Sequence, residues 1–198
     1  MKERIKKYFK RSPIKIASDL VFWVLLILLL IPSTRAVFLA GVSKVRTAVF
    51  QPALKSGEGP VMDESAKEWA LVNLDGKHAQ LGDFDGEVIL INFWATWCLP
   101  CRAEMPSLDK LYADYGSKIR FLLLSNEDPD PIREFMVKKK YSFSAWLTLS
   151  APPAALSTKS IPTTFILNKK GKIVYSKSGA FDWNSKKVRS FLDTLLSE

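Results

Sequence analysis

The chain has 198 residues, of which 47% are apolar and 25% charged, an average globular composition that allows one domain of ordinary size plus an appendage. Its formal charge of +9 is unevenly placed: residues 1–15 carry seven Lys/Arg against Glu3, whereas from Lys55 onward 19 basic residues meet 18 acidic ones. The folded part is therefore nearly neutral, which removes the basis for a nucleic-acid partner.

Residues 1–15 read as a basic cytoplasmic segment. Behind them Leu20 to Ile31 is an unbroken apolar run, LVFWVLLILLLI, and with its flanks over 16–35 it reaches roughly the 20 residues a helix needs to cross a hydrocarbon core. The excess of Lys/Arg before the run, against Arg35, Lys44 and Arg46 after it, orients the N-terminus inward and the remainder of the chain outward. A cleaved signal peptide is the competing reading, with Thr34-Arg35-Ala36 as its cleavage site; the long basic lead and the apolar residues continuing through Leu39 favour a retained anchor. Either reading exports the domain that follows. Residues 36–60 form an amphipathic stalk and linker: Phe38, Val42, Val45 and Val49 recur at helical spacing, and Lys55-Ser-Gly-Glu-Gly-Pro60 breaks any helix.

The domain, residues 61–198, opens with a hairpin, Trp69–Leu74 and Lys77–Leu81 about Asp75-Gly76. His78 beside that turn reads as solvated. Val88 to Phe93, VILINF, is a buried strand, and it runs through Trp94-Ala-Thr-Trp97 into a helix that opens on Cys98-Leu99-Pro100-Cys101 and continues past a predicted kink at Pro106. Ile119 to Leu124 is a second buried strand, parallel to the first across the intervening helix. Asp128 or Asp130 is expected to cap the next helix, with Ile132, Phe135 and Met136 inward, and capping also accounts for the acidic cluster Glu127-Asp128-Pro129-Asp130. A short strand over Trp146–Leu149, a hairpin of Thr164–Leu167 with Ile173–Ser176, and a closing helix over Ser185–Leu196 complete an α/β domain, a mixed central sheet with helices on both faces.

The chemistry resides in Val88 to Pro106. A first cysteine at a helix start lies where unpaired N–H groups and the helix dipole favour the thiolate, and a second one turn on is placed to attack a mixed disulfide on the first. Zinc would need four ligands, and two cysteines with His78 do not supply a tetrahedral Cys/His set. Covalent haem needs histidine after the second cysteine, where Arg102 stands. A purely structural disulfide closes too small a loop to restrict the unfolded chain much. A redox dithiol with no further cofactor is the reading that remains, together with a binding module in which the pair holds a protein partner or a copper ion.

The segment Phe93-Trp-Ala-Thr-Trp-Cys-Leu-Pro-Cys-Arg-Ala-Glu-Met-Pro106 resembles the active-site segment of the thioredoxin superfamily, and more closely its membrane-anchored, extracytoplasmic TlpA/ResA-type thiol:disulfide oxidoreductases. Ile161-Pro-Thr-Thr-Phe165 is similar to the second motif of that fold. The resemblance implies a thioredoxin-like fold and a redox-active Cys98–Cys101 disulfide, with Cys98 as nucleophile and Cys101 as resolving thiol. It also implies that Pro162 follows a cis peptide bond beside the dithiol, and that the backbone of Ile161 lines the substrate groove, with Trp97 on its rim. Where thioredoxins carry a buried Asp in the central strand this chain has Asn92, so the proton chemistry passes to Glu104, one turn beyond Cys101 and expected to be shielded and raised in pKa. Implied partners are protein disulfides or dithiols and a membrane electron donor or acceptor. Cytochrome c maturation thioredoxins usually place an acidic residue after the cis proline, and Thr163 stands there instead.

Overall fold

The computed structural model describes residues 18–24, 26 and 59–198. Residues 18–24 are helical, with Leu20, Val21, Phe22, Trp23 and Val24 exposed. Among the described residues no helix is long and apolar enough to cross a membrane. The basic segment 1–15, most of the expected span 16–35 and nearly all of the stalk 36–60 lie outside the described residues.

From residue 59 the chain forms one seven-stranded sheet. Its strands are β1 (Ala70–Asn73), β2 (His78–Gln80), β3 (Ile89–Phe93), β4 (Arg120–Ser125), β5 (Ala145–Thr148), β6 (Thr163–Leu167) and β7 (Ile173–Ser178), in the order β2-β1-β5-β4-β3-β6-β7. The helices are α1 (Glu64–Lys67), α2 (Leu99–Tyr115), α3 (Pro129–Lys139) and α4 (Lys186–Ser197). β3 pairs parallel with β4, and β4 with β5, whereas β3–β6, β6–β7, β1–β2 and β1–β5 are antiparallel. This is the expected mixed sheet, and both expected hairpins form. Asp75-Gly76 makes the first turn with Gly76 at φ +81°, a conformation that suits glycine, and Asn73 Oδ1 accepts from the N–H groups of Asp75 and Lys77.

Period-2 alternation sends each central strand to two cores. Leu90, Phe121, Leu123 and Ile166 join the α2 residues Met105, Leu108 and Leu111, Ile132 of α3, and Val188, Leu192 and Leu195 of α4. Ile89, Ile91, Leu122, Leu124, Phe165 and Leu167 face the other way, onto Met62, Trp69, Leu81, Phe84 and Leu156. The expectation of helices on both faces is thereby refined. The three long helices share one core, and the opposite face is closed by the single turn α1 and by two 3-10 turns, Leu81–Phe84 and Ala154–Leu156.

α2 runs from Leu99 to Tyr115 with Pro106 inside it. One local expectation changes. Asp128 holds the expected N-cap position of α3, with Pro129 and Pro131 in the first turn as their fixed φ suits, but its side chain makes no capping bond. His78, expected beside the turn and solvated, is the exposed first residue of β2, opposite Val72.

Candidate active site

The carboxyl ends of β3 and β4 lie side by side, and the loop leaving β3 carries the dithiol to the start of α2. Cys98 is the N-cap of α2 and accepts the Cys101 N–H at its sulfur, 3.2 Å away. Cys98 and Cys101 are joined as a disulfide with S–S 2.05 Å. Cys98 retains 4% of its surface and Cys101 none. The first sulfur is thus the one within reach of a partner, at a helix terminus that favours negative charge.

The second motif meets the first here. The Ile161–Pro162 peptide is cis, as the resemblance implied, and the Ile161 carbonyl oxygen lies 3.9 Å from Cys98 Sγ. A disulfide sulfur carries no hydrogen, so this is a contact in the oxidised form and becomes an S–H donor position only on reduction. Hydroxyls hold the loop in place: Thr163 Oγ1 donates to the Ser160 carbonyl at 2.7 Å and pairs with Ser178 Oγ, and the Gly179 N–H donates to the Pro162 carbonyl at 2.8 Å.

Trp94 and Trp97 have opposite fates. Trp94 is 1% exposed and belongs to the core, packing its ring on Phe135, whereas Trp97 is 69% exposed and Leu99 71%. Two large apolar side chains therefore stand open on either side of Cys98.

Beneath the dithiol lies a polar cluster inside the apolar core. Glu104 is 2% exposed and Asn92 is fully buried. Asn92 Nδ2 donates to Glu104 Oε1 and to Thr164 Oγ1, both at 2.8 Å, and Thr164 is its direct partner across the β3–β6 ladder. Oε2 of Glu104 accepts from the Phe181 N–H at 3.1 Å and from Trp183 Nε1–H at 3.0 Å. Burial, which disfavours the charged form, raises the Glu104 carboxyl from 4.5 to about 7 against the opposing pull of its donors Trp183, Asn92 and Phe181. The shielded acid expected from the sequence is present, and its setting comes from three elements besides its own helix.

Trp183 and Thr164 are members of this cluster that sequence reasoning did not identify. A tryptophan in a polar loop was the available signal for the first, since a buried indole N–H seeks an acceptor. Glu127 is another. Instead of capping α3, its carboxylate accepts the Thr96 N–H at 2.7 Å and the Thr96 hydroxyl at 2.6 Å, with Ser125 Oγ at 3.1 Å, and so fastens the loop two residues before Cys98 to the end of β4. Its position just past the carboxyl end of a central parallel strand was the signal there. Among the described residues no group of three or more His, Cys, Asp or Glu is disposed to hold a metal ion.

The profile of the family described as Redoxin matches residues 58–195. Thioredoxin-like protein YneN of Bacillus subtilis is 32% identical over 129 residues, covering 63% of this chain and 76% of that protein. Thiol-disulfide oxidoreductase ResA of Bacillus cereus is 28% identical over 136 residues, covering 66% and 78%. A thiol:disulfide interchange protein of the thioredoxin family from Chlorobium tepidum shares the fold, with a TM-score of 0.53 at 21% identity over 69% of this chain and 96% of that one.

Proposed function

The chain belongs to the Redoxin family and is a thiol:disulfide oxidoreductase, and from that premise we propose that it exchanges disulfides with extracytoplasmic proteins while tethered to a membrane by its N-terminal apolar segment. The observation that carries the chemistry is the Cys98–Cys101 disulfide at the start of α2, with Cys98 beside the Ile161 carbonyl and flanked by the open side chains of Trp97 and Leu99.

In the reducing direction the Cys98 thiolate attacks one sulfur of a substrate disulfide. The substrate S–S bond breaks, its other sulfur leaves as a thiolate, and a mixed disulfide forms. Cys101 then attacks Cys98 Sγ, the mixed disulfide breaks, the second substrate thiolate leaves, and the Cys98–Cys101 bond closes. Two electrons pass to the substrate, and the same steps reversed oxidise a dithiol. A membrane electron donor or acceptor resets the pair. Trp97 and the backbone of Ile161 beside Pro162 form the groove that orients the substrate strand. Glu104 takes the proton of Cys101 in the second step: it lies one helical turn on, shielded, with a proton affinity near neutrality, which is what a general base at neutral pH requires.

Tethering is supported by the seven basic residues ahead of the apolar run Leu20–Ile31 and by the exposed apolar side chains of helical residues 18–24. The chemistry is tested by turnover of insulin disulfides by the full chain, with Cys98→Ser inactive and Cys101→Ser accumulating a mixed disulfide. A wild-type chain that binds proteins or copper without turnover would instead identify a binding module. Topology is tested by adding protease to spheroplasts: digestion beyond Leu54 with retention in membranes supports the tether, and release of a soluble form starting near Val37 refutes it.

A further inference from the structure

Three donors converge on a carboxyl that lies within the core, and they are distributed unequally between its two oxygens. Oε2 receives both the Phe181 N–H and the Trp183 indole N–H, which occupies its two lone-pair directions. Oε1 receives Asn92 Nδ2 alone. Among the described residues no charged side chain hydrogen-bonds this carboxyl. The titratable group nearby in the disulfide form is Tyr175 of β7, whose ring meets Trp183 edge-on at 6.2 Å; Cys101, one turn back on α2, joins it only once the disulfide is reduced. β3 and β6 contribute the uncharged Asn92 and Thr164.

Trp183 is itself held from two sides. Its backbone N–H donates to Ser107 Oγ at 3.1 Å, and Ser107 Oγ donates in turn to the Glu104 carbonyl at 2.7 Å. Its ring is fully buried between Phe181 and Tyr175. The indole is therefore fixed against the same helical turn that carries Glu104, and its donor cannot swing away when the carboxyl changes state.

We propose that Trp183 is a positioning residue of the redox site: its Nε1–H locks Oε2 of Glu104, so that the exchangeable proton comes and goes on Oε1, the oxygen facing Asn92. This rests on the reading of Glu104 as the group that accepts the Cys101 proton. A proton on Oε2 would displace one of two existing donors, whereas Oε1, with a single donor, keeps a lone-pair direction open for it. Asn92 also has a buried oxygen, Oδ1, with no hydrogen-bond partner. A turn of the amide gives up the Nδ2 bonds to Glu104 and Thr164 and presents that oxygen to the new O–H, so the neutral acid also finds an acceptor. Because the indole donor stabilises the carboxylate, it keeps the proton affinity of Glu104 low enough for the base form to be populated near neutral pH.

The test uses the full chain in detergent micelles, in its disulfide form, labelled at Glu Cδ with carbon-13 and at the indole nitrogens with nitrogen-15. In the wild type the Trp183 indole resonance should titrate with the same midpoint as the Glu104 carboxyl; an indole signal that stays flat through that midpoint overturns the proposal. In Trp183→Phe the midpoint of Glu104 should rise by about one pH unit, a tenfold gain in proton affinity, and the rising limb of the pH profile for resolution of the mixed disulfide should move up with it. Tyr175→Phe, which alters the packing of Trp183 but removes no donor from Glu104, should leave the midpoint in place. An unchanged midpoint in Trp183→Phe, or an equal shift in both variants, overturns the proposal. Should Trp183→Phe fail to fold, the wild-type titration alone decides. The premise is read separately: wild-type resolution rates in Glu104→Gln would remove the role of Glu104 itself, whatever the resonances show.

Discussion

The sulfur of Cys98 lies 3.9 Å from the carbonyl oxygen of Ile161, a residue 63 positions further along the chain. Two opposing influences meet on that sulfur. The α2 terminus, through the Cys101 N–H at 3.2 Å, favours the thiolate, while the carbonyl oxygen repels a negative sulfur and accepts from a thiol. The N–H contact is the shorter, and Cys101, inside the first turn and not at the N-cap, has no exposed surface. After reduction, iodoacetamide near neutral pH is expected to label Cys98 about tenfold or more faster than Cys101, because the helix terminus favours its thiolate and it alone of the two keeps exposed surface. Peptide mapping after brief labelling checks this, and equal labelling would reverse the roles assigned to the two thiols.

Trp97 is largely exposed and takes no part in either core. Its removal should therefore leave folding nearly untouched, within about 0.5 kcal/mol. If the side chain contacts the substrate polypeptide, kcat/KM for a protein disulfide should fall several-fold in Trp97→Ala, while the reaction with a small aromatic disulfide keeps its rate. A uniform fall for both substrates would mean that Trp97 acts on the dithiol and not on the partner.

The fold and the dithiol were legible because their signals are local. Val88–Phe93 and Ile119–Leu124 are short apolar runs bounded by breakers, and both are central parallel strands. Glu104 was found by helix spacing from Cys101. What spacing cannot convey is which distant groups close around that carboxyl: Trp183 and Phe181 arrive from 79 and 77 residues away, and Asn92, recognised as a missing acid, became its donor. Glu127 was misread for a related reason. A carboxylate just before a helix serves equally well as a cap or as an acceptor for a neighbouring loop, and the register that brings Thr96 within 2.7 Å is set by the β3–β4 pairing.

That Thr96–Glu127 contact gives a stability prediction. Bonds to a charged acceptor contribute more than neutral ones, and the site is half-buried, so deleting the hydroxyl in Thr96→Val should cost about 1–2 kcal/mol. Thr96→Ser keeps the donor and should recover most of the loss. Denaturant midpoints at equal slope measure both, and a Val variant as stable as wild type would show that the carboxylate is satisfied without Thr96.

Glu104 links proton exchange to stability, and the sign follows from its environment. Its folded-state value of about 7 exceeds the ordinary 4.5, so between these values the folded chain binds a proton that the unfolded chain has released. The neutral acid is stabilised by folding and the carboxylate is penalised by it. Stability from this group is thus fully present below about pH 4.5 and declines as pH rises to about 7, by roughly 3 kcal/mol in all. Glu104→Gln does not titrate there. Its side-chain oxygen can still accept from Trp183 and Phe181, and its amide can donate to Asn92 Oδ1, which lacks a partner in the native arrangement. The difference in unfolding free energy between wild type and variant, measured on the disulfide form from pH 4 to pH 8, should therefore carry the whole slope, with the variant gaining relative stability toward alkaline pH. In stopped-flow turnover the same variant should form the mixed disulfide at the wild-type rate and resolve it more slowly, so that the intermediate accumulates. A flat stability difference would place the carboxyl near its ordinary value, and unchanged resolution would send the Cys101 proton directly to water.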